Sequence, residues 1–241
     1  MAVQNTLQKT RPADQVVTFL AGNATVTLSP QVVKNYLVSG DKDNITMEEL
    51  VLFINLCKYQ GLNPFLREAY LVKYGKEKAT MVTGKDAFMK RAQRNSNYRG
   101  CTAGIIVRNG DNIEQREGTF KLDEEILVGG WAKVLVKGYD APISTSVSLS
   151  EYIGKKSDGT PNKQWSRMPS TMLRKVALVQ ALREAFPDDY AGMYDADEMG
   201  LDSSMLSDTP IASPDAQPEY EADVVYEYDS ETTLFEDDPL G

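Results

Sequence analysis

At 241 residues the chain is long enough to bury a full core in one main domain, and it contains no histidine, which removes Ser-His-Asp and Cys-His catalysis and every His-containing zinc site. The net charge of −9 conceals a segregation: all 26 Lys and Arg lie between Lys9 and Arg183, residues 1–187 sum to +8, and residues 188–241 carry 17 acids and no base. No run of about 18 apolar residues and no apolar N-terminal segment occurs, so a soluble cytoplasmic protein with no membrane role is expected.

In chain order, the first elements read as helices. In "LSPQVVKNYL", Ser29 is an N-cap and Pro30 the first helical residue, where its missing N–H costs nothing. "ITMEELVLFINLCKYQG" is better marked: Thr46 and Glu49 have capping-box spacing and Ile45 can staple onto Leu50. Leu50, Phe53, Ile54 and Cys57 then repeat at three to four residues until Gly61 ends the run. Cys57 and Cys101 form neither a CxxC pair nor a disulfide framework, and both are expected as buried small hydrophobes.

The middle of the chain alternates strands and turns. "AYLVKY" and "ATMVT" flank "GKEK", a hairpin with Gly75 in its turn, and "GKDAFMKRAQRNS" suits a short basic helix. "CTAGIIVR" and "IEQREGTF" flank "NGDN", a second hairpin, and "WAKVLVKG" and "ISTSVSLS" follow as strands. The expected fold is α+β: antiparallel hairpins and sheet packed on a long central helix, with N-terminal helices and a disordered acidic C-terminal tail.

That helix is "SRMPSTMLRKVALVQALREAFP", with Pro169 at its start and Pro187 forcing a stop near Phe186. It is apolar around most of its circumference, as a helix buried on several sides must be. Yet Arg167, Arg174 and Lys175 crowd its N-terminal end, where the macrodipole is positive and an anion is wanted. Phosphate is one answer; internal carboxylates or plain solvent are the others. Arg183, on the opposite side, suits an internal acid.

Other cations favour phosphate. Lys73, Lys76 and Lys78 surround the first hairpin, although Lys76 and Lys78 also suit a solvated face. Lys85, Lys90, Arg91, Arg94 and Arg99 run through the basic helix and its exit, and Lys133 and Lys137 share a strand face with Trp131. Tyr70, Tyr74, Phe88, Tyr98, Tyr152 and Trp165 are interleaved with them, the combination that single-strand binders use, although each ring alone also suits a core. The candidate DNA contacts are therefore Lys73, Lys76, Lys85, Lys90, Arg91, Arg94, Arg99, Trp131, Lys133, Lys137, Trp165, Arg167, Arg174 and Lys175, converging on one groove.

Absences narrow the function. Neither GxxxxGK[ST] nor GxGxxG occurs, which argues against an ATP-driven motor. A metal nuclease would need clustered carboxylates; Asp86, Asp123, Glu124, Glu125, Asp188 and Asp189 are candidates whose clustering a sequence does not reveal. No catalytic residue and no metal ligand set is assigned.

Three stretches, "LCKYQGLNPFLREAYLVKYG", "VTGKDAFMKRAQRN" and "WSRMPSTMLRKVALVQALREAFPDDYAGMYDADEM", resemble the RecT family of phage and prophage single-strand annealing proteins, relatives of the lambda Beta protein, over about residues 29 to 199. The resemblance implies ATP-independent annealing of complementary DNA strands in phage homologous recombination. It also implies partners: single-stranded DNA, the annealed duplex intermediate, further copies in a ring or helical filament, a phage exonuclease and a host single-strand binding protein. No cofactor is expected; magnesium is kept as a modulator of DNA binding. A passive single-strand binder and a metal nuclease are the competing classes.

Residues 1–199 form the expected DNA-binding and oligomerisation domain. Residues 200–241, rich in Ser, Asp, Glu and Pro, are expected as a disordered tail that screens the basic groove, docks a partner or simply solubilises the chain. Its end, "TTLFEDDPLG", is similar to the acidic tips of bacterial single-strand binding proteins.

Overall fold

A computed structural model describes residues 16–156, 158–196 and Met199. The expected tail, 200–241, lies outside the described residues. The first element is one that the sequence reading missed: β1 (Val17–Ala21) and β2 (Ala24–Leu28) make an antiparallel hairpin around Gly22, whose φ of 63° suits the turn. The expected helix at Ser29 follows, but only its cap is as foreseen. Ser29 Oγ accepts from the Val32 N–H at 3.3 Å, α1 (Pro30–Val32) lasts a single turn, and Val33–Leu37 continue as a π-helix into the short strand β3 (Val38–Gly40).

The second helix, α2 (Met47–Gln60), follows its sequence signals closely. Thr46 and Glu49 close both bonds of the capping box, and Gly61 ends it in the left-handed region at φ 60°. Leu50, Phe53, Ile54 and Cys57 are buried in the core, as is Ile45. Burial pushes the Cys57 thiol far above its ordinary range, which makes it an inert hydrophobe. Cys101 departs from the expectation: it is half-buried and accepts a hydrogen bond from the Tyr98 hydroxyl at 3.2 Å.

A 3₁₀ turn (Pro64–Leu66) leads into β4 (Ala69–Lys73), the hairpin turn at Gly75 and β5 (Thr80–Thr83). β4 pairs antiparallel with β5 and parallel with β3, the one parallel pairing among the described strands. The basic helix α3 (Lys85–Arg94) then leads to the main sheet: β6 (Tyr98–Asn109), β7 (Asn112–Glu117), β8 (Ile126–Val136) and β9 (Ile143–Ser148). This sheet is wholly antiparallel, in the order β7-β6-β8-β9.

Two short helices, α4 (Leu149–Tyr152) and α5 (Lys163–Arg167), precede α6 (Pro169–Ala185). α6 packs on β8, β9 and β6 and also touches α3, α4 and α5. This explains why its apolar residues surround it: Met172, Leu173, Val176, Ala177, Leu178, Val179, Ala181 and Leu182 are all buried. Each large aliphatic among them gains about 1.5–3 kcal/mol relative to exposure. The sheet closes this core with Ala103, Ala132, Val134 and Val147.

Beyond α6, residues 187–196 form a strap over α3 and β5. Tyr190 stacks on Phe88, with centroids 5.4 Å apart, and donates to the Phe88 carbonyl at 2.8 Å. The Thr83 N–H donates to the Tyr194 carbonyl at 2.7 Å, and Met193 and Ala196 are buried. The acidic stretch that starts at Asp188 is thus part of the folded body as far as Ala196.

Candidate nucleic-acid interface

The fourteen candidate residues fall into two groups. The first is held inside the protein. Lys73 is 4% exposed and its ammonium meets Glu49 at 2.8 Å, so it serves the core and is removed from the exposed set. Burial alone would raise the Glu49 carboxyl, but hydrogen bonds from Lys73, the Thr46 N–H and the Ala79 N–H outweigh it and hold the group below its ordinary 4.5. Lys175 pairs with the buried Asp195 at 2.9 Å; Lys90 pairs with the buried Glu68 at 2.6 Å while 43% of its side chain stays exposed, so it is tethered by the core rather than enclosed in it.

Arg91 donates to the backbone carbonyls of Asp189 and Gln60, and burial pulls its guanidinium below the ordinary arginine range. Arg174 donates from Nε to the Ala103 carbonyl at 3.1 Å. Trp165 is 2% exposed, a core residue rather than a ring that could meet a base. The physical reason is the same throughout: each cation lies where an element crossing forces carbonyls or carboxylates out of water, and a charge that compensates them has less left for an external phosphate. Among the interleaved aromatics, Phe88 is wholly buried, and Tyr98 packs edge-on against Phe186 with centroids 6.4 Å apart.

The second group reaches solvent. Lys76 is exposed beside the Gly75 turn, Lys85 is half-buried at the start of α3, and Arg94, Arg99, Lys137 and Arg167 are exposed. Two of these are brought together by the backbone. The Lys137 N–H donates to the Asn97 carbonyl at 2.8 Å, which sets Arg99, at the start of β6, and Lys137, just past β8, at the same end of the sheet. Arg167 ends α5 directly before α6, whose first turn has no side-chain cap. Its free N–H groups and the adjacent guanidinium can both meet an anion.

Lys133 belongs to the outer face of the sheet, the face turned away from α6. Its ammonium sits 5.6 Å from the centre of the Trp131 ring, two residues back on β8. Trp131 is only 8% exposed: its indole N–H donates to the Arg116 carbonyl on β7 at 3.2 Å, so the ring lies along the sheet and serves as the floor beneath Lys133.

The register adds residues that the sequence reading overlooked. Lys133 is flanked by Thr102 on β6 and Ser144 on β9, and Trp131 by Ser146. All three hydroxyls are exposed and on the same face, and Arg108 is exposed on that face nearer the β6–β7 turn. The signal was the alternation in "ISTSVS", which puts a hydroxyl at every second residue of one face. This face can offer hydrogen bonds and positive charge to a sugar–phosphate chain.

The Arg183 guanidinium lies 4.5 Å from the centre of the Tyr194 ring. Among the described residues no three His, Cys, Asp or Glu side chains gather as a metal would require. No helix among them is long and apolar enough to cross a membrane.

Comparison with known proteins adds to this geometry. The uncharacterized protein UU154 of Ureaplasma parvum serovar 3 is 27% identical over 164 residues, and the chain spans 66% of that relative's length. The family comparison is broader, covering residues 5–214 and so every element described above. This chain belongs to the RecT family.

Proposed function

We propose that this chain binds single-stranded DNA through its sugar–phosphate backbone and anneals complementary strands without ATP, as a recombination protein of the phage type working in the bacterial cytoplasm. The match to the RecT family over residues 5–214 carries the reading. The half-buried Lys133 and the exposed Lys137, Arg99, Arg94 and Arg167 support it, since phosphate contacts hold a strand without reading its sequence. Base pairing then supplies both specificity and driving force, about 1.4 kcal/mol per stacked step. No nucleotide cofactor is needed in this scheme, and magnesium serves as a modulator of DNA binding. Several copies acting along one strand would multiply the neutralised phosphates, and an exonuclease and a host single-strand binding protein are the partners such a protein would use.

The test is to mix complementary oligonucleotides with purified protein and no ATP. Faster duplex formation supports annealing. Coating without acceleration reduces the protein to a passive binder, and magnesium-dependent shortening of the strands makes it a nuclease.

A further inference from the structure

The main sheet has two edges, β7 and β9, and they are built differently. β7, "NIEQRE", carries Glu114, Arg116 and Glu117, charges of the kind that discourage a further strand. β9, "ISTSVS", has no charge, proline or glycine, and pairs with β8 over all six residues without a bulge. Alternate N–H and C=O groups of such a strand point away from its one neighbour. Among the described residues no backbone hydrogen bond outside the β8 ladder reaches residues 143–147.

The two faces of β9 call for different neighbours. Ser144 and Ser146 lie on the outer face, level with Lys133 and Trp131 on β8, whereas Ile143, Thr145 and Val147 turn to the α6 side. A strand that fits beside β9 therefore alternates, acidic or small on one face and apolar on the other. The acid-rich end of the chain holds such a sequence. Between Pro218 and Pro239 no proline or glycine occurs, and "DVVYEYD" sets Val224, Tyr226 and Tyr228 against Asp223, Val225, Glu227 and Asp229 at alternate positions.

We propose that residues 223–229 dock on β9 of their own chain as an antiparallel fifth strand of the main sheet, with Glu227 opposite Ser144. In that register Tyr228 faces Ile143, Tyr226 faces Thr145 and Val224 faces Val147, which extends the apolar inner face. On the outer face Glu227, Ser144 and Lys133 form one row across three strands, and Val225 continues the row of Ser146 and Trp131. Neighbouring strands lie about 4.8 Å apart, so the backbones of Glu227 and Lys133 are about 10 Å apart with only a serine between, a gap that two long side chains close. Asp229 then lies toward Lys137, just past β8; a parallel strand would carry it the other way. Reach is ample: residues 200–222 extend up to about 80 Å, and a domain of this size is roughly 40 Å across. The docking does not require DNA binding, although it lays carboxylates over the face that carries Lys133.

Cysteine placement tests the register in the full chain, with the wild type and its Cys57 and Cys101 as the blank. Directly opposed residues of an antiparallel pair have Cα atoms about 4.5–5.5 Å apart, within disulfide range. Under mild oxidation of dilute protein, Ser144→Cys with Glu227→Cys should link within one chain at least fivefold more than Ser144→Cys with Val225→Cys or with Tyr226→Cys. Ser144 is exposed, so its replacement spares the fold. Amide hydrogen exchange gives a second readout: Val224→Asp with Tyr226→Asp should speed exchange across residues 143–147 at least tenfold and leave β6 unchanged. If β6 also speeds up, the linking yields decide. Equal linking at the three tail positions, a link between chains seen as a doubled mass, or exchange at 143–147 unaltered by the two aspartates overturns the proposal.

Discussion

The Trp131 ring occupies the space that a side chain at Gly104 would need. The two residues are direct partners across β6 and β8, and a Cβ on Gly104 would fall 2.8 Å from Trp131 Nε1 and 1.8 Å from the Arg116 carbonyl oxygen. The second contact is with backbone, so neither neighbour can move away cheaply. Gly104→Ala should therefore destabilise the fold by about 2–4 kcal/mol, well above a typical surface change, as a lowered urea midpoint would record.

Lys133 rests on that same ring, but its charge faces outward. Lys133→Ala should leave the melting temperature nearly unchanged while weakening single-strand binding. The slope of log K against log salt should become shallower by about 0.7, the share of one neutralised phosphate. An unchanged slope in a fluorescence anisotropy titration would exclude Lys133 from the interface.

The internally paired cations predict the opposite pattern. Lys175→Ala leaves the buried Asp195 carboxylate without its 2.9 Å partner, and Lys73→Ala does the same to Glu49. Each should cost about 2–4 kcal/mol of stability, near or below the range for breaking buried pairs because both sites keep some solvent contact. Arg167→Ala, at an exposed site, should spare stability and reduce DNA affinity. Denaturant melts and binding titrations on the three variants separate these roles.

Acid should act through Glu49. Its carboxyl is held below the ordinary 4.5, so the folded state binds fewer protons than the unfolded one, and stability rises with pH through this range. The contribution is fully present above about pH 4.5 and is lost as pH falls through the lowered value. Glu49→Gln should flatten the stability profile below pH 5 while lowering the neutral-pH plateau, which also loses the Lys73 pair and one arm of the capping box. Urea melts between pH 3 and 7 would measure both.

The acidic segment 200–241 has no base to balance it, whereas residues 1–187 sum to +8. Removing it should tighten single-strand binding at low salt, and the gain should fade as salt rises past about 0.2 M, where screening erases long-range competition. Equal affinity with and without the segment at low salt would leave it no competitive role.

How far the sequence could be read depended on how local each determinant was. The Thr46 and Glu49 capping box, the "NGDN" turn and the two prolines bounding α6 are decided within a few residues, and each was legible. The β1–β2 hairpin was legible too, in the alternation of "VTFLAGNATVTL" about Gly22 and Asn23, but neighbouring helix signals overshadowed it. The fate of the cations was not. Lys73 meets an acid 24 residues earlier and Lys90 one 22 earlier, while Lys175 meets one 20 residues later, and nothing in the local pattern distinguishes them from Lys133 or Lys137. A lysine's partner is chosen by the crossing of elements, and composition records only that it is positive.

The strap of residues 187–196 has a practical consequence for trimming the chain. Tyr190 and Met193 fill space against α3 and the core, and the Tyr194 carbonyl closes the outer edge of β5. A protease or a stop codon acting beyond Ala196 keeps the strap of residues 187–196, whereas one acting at Pro187 uncovers Phe88 and removes the Asp195 carboxylate that Lys175 meets. Shortened forms that keep Ala196 should fold; forms ending at Pro187 should aggregate, however helical their last ordered element remains.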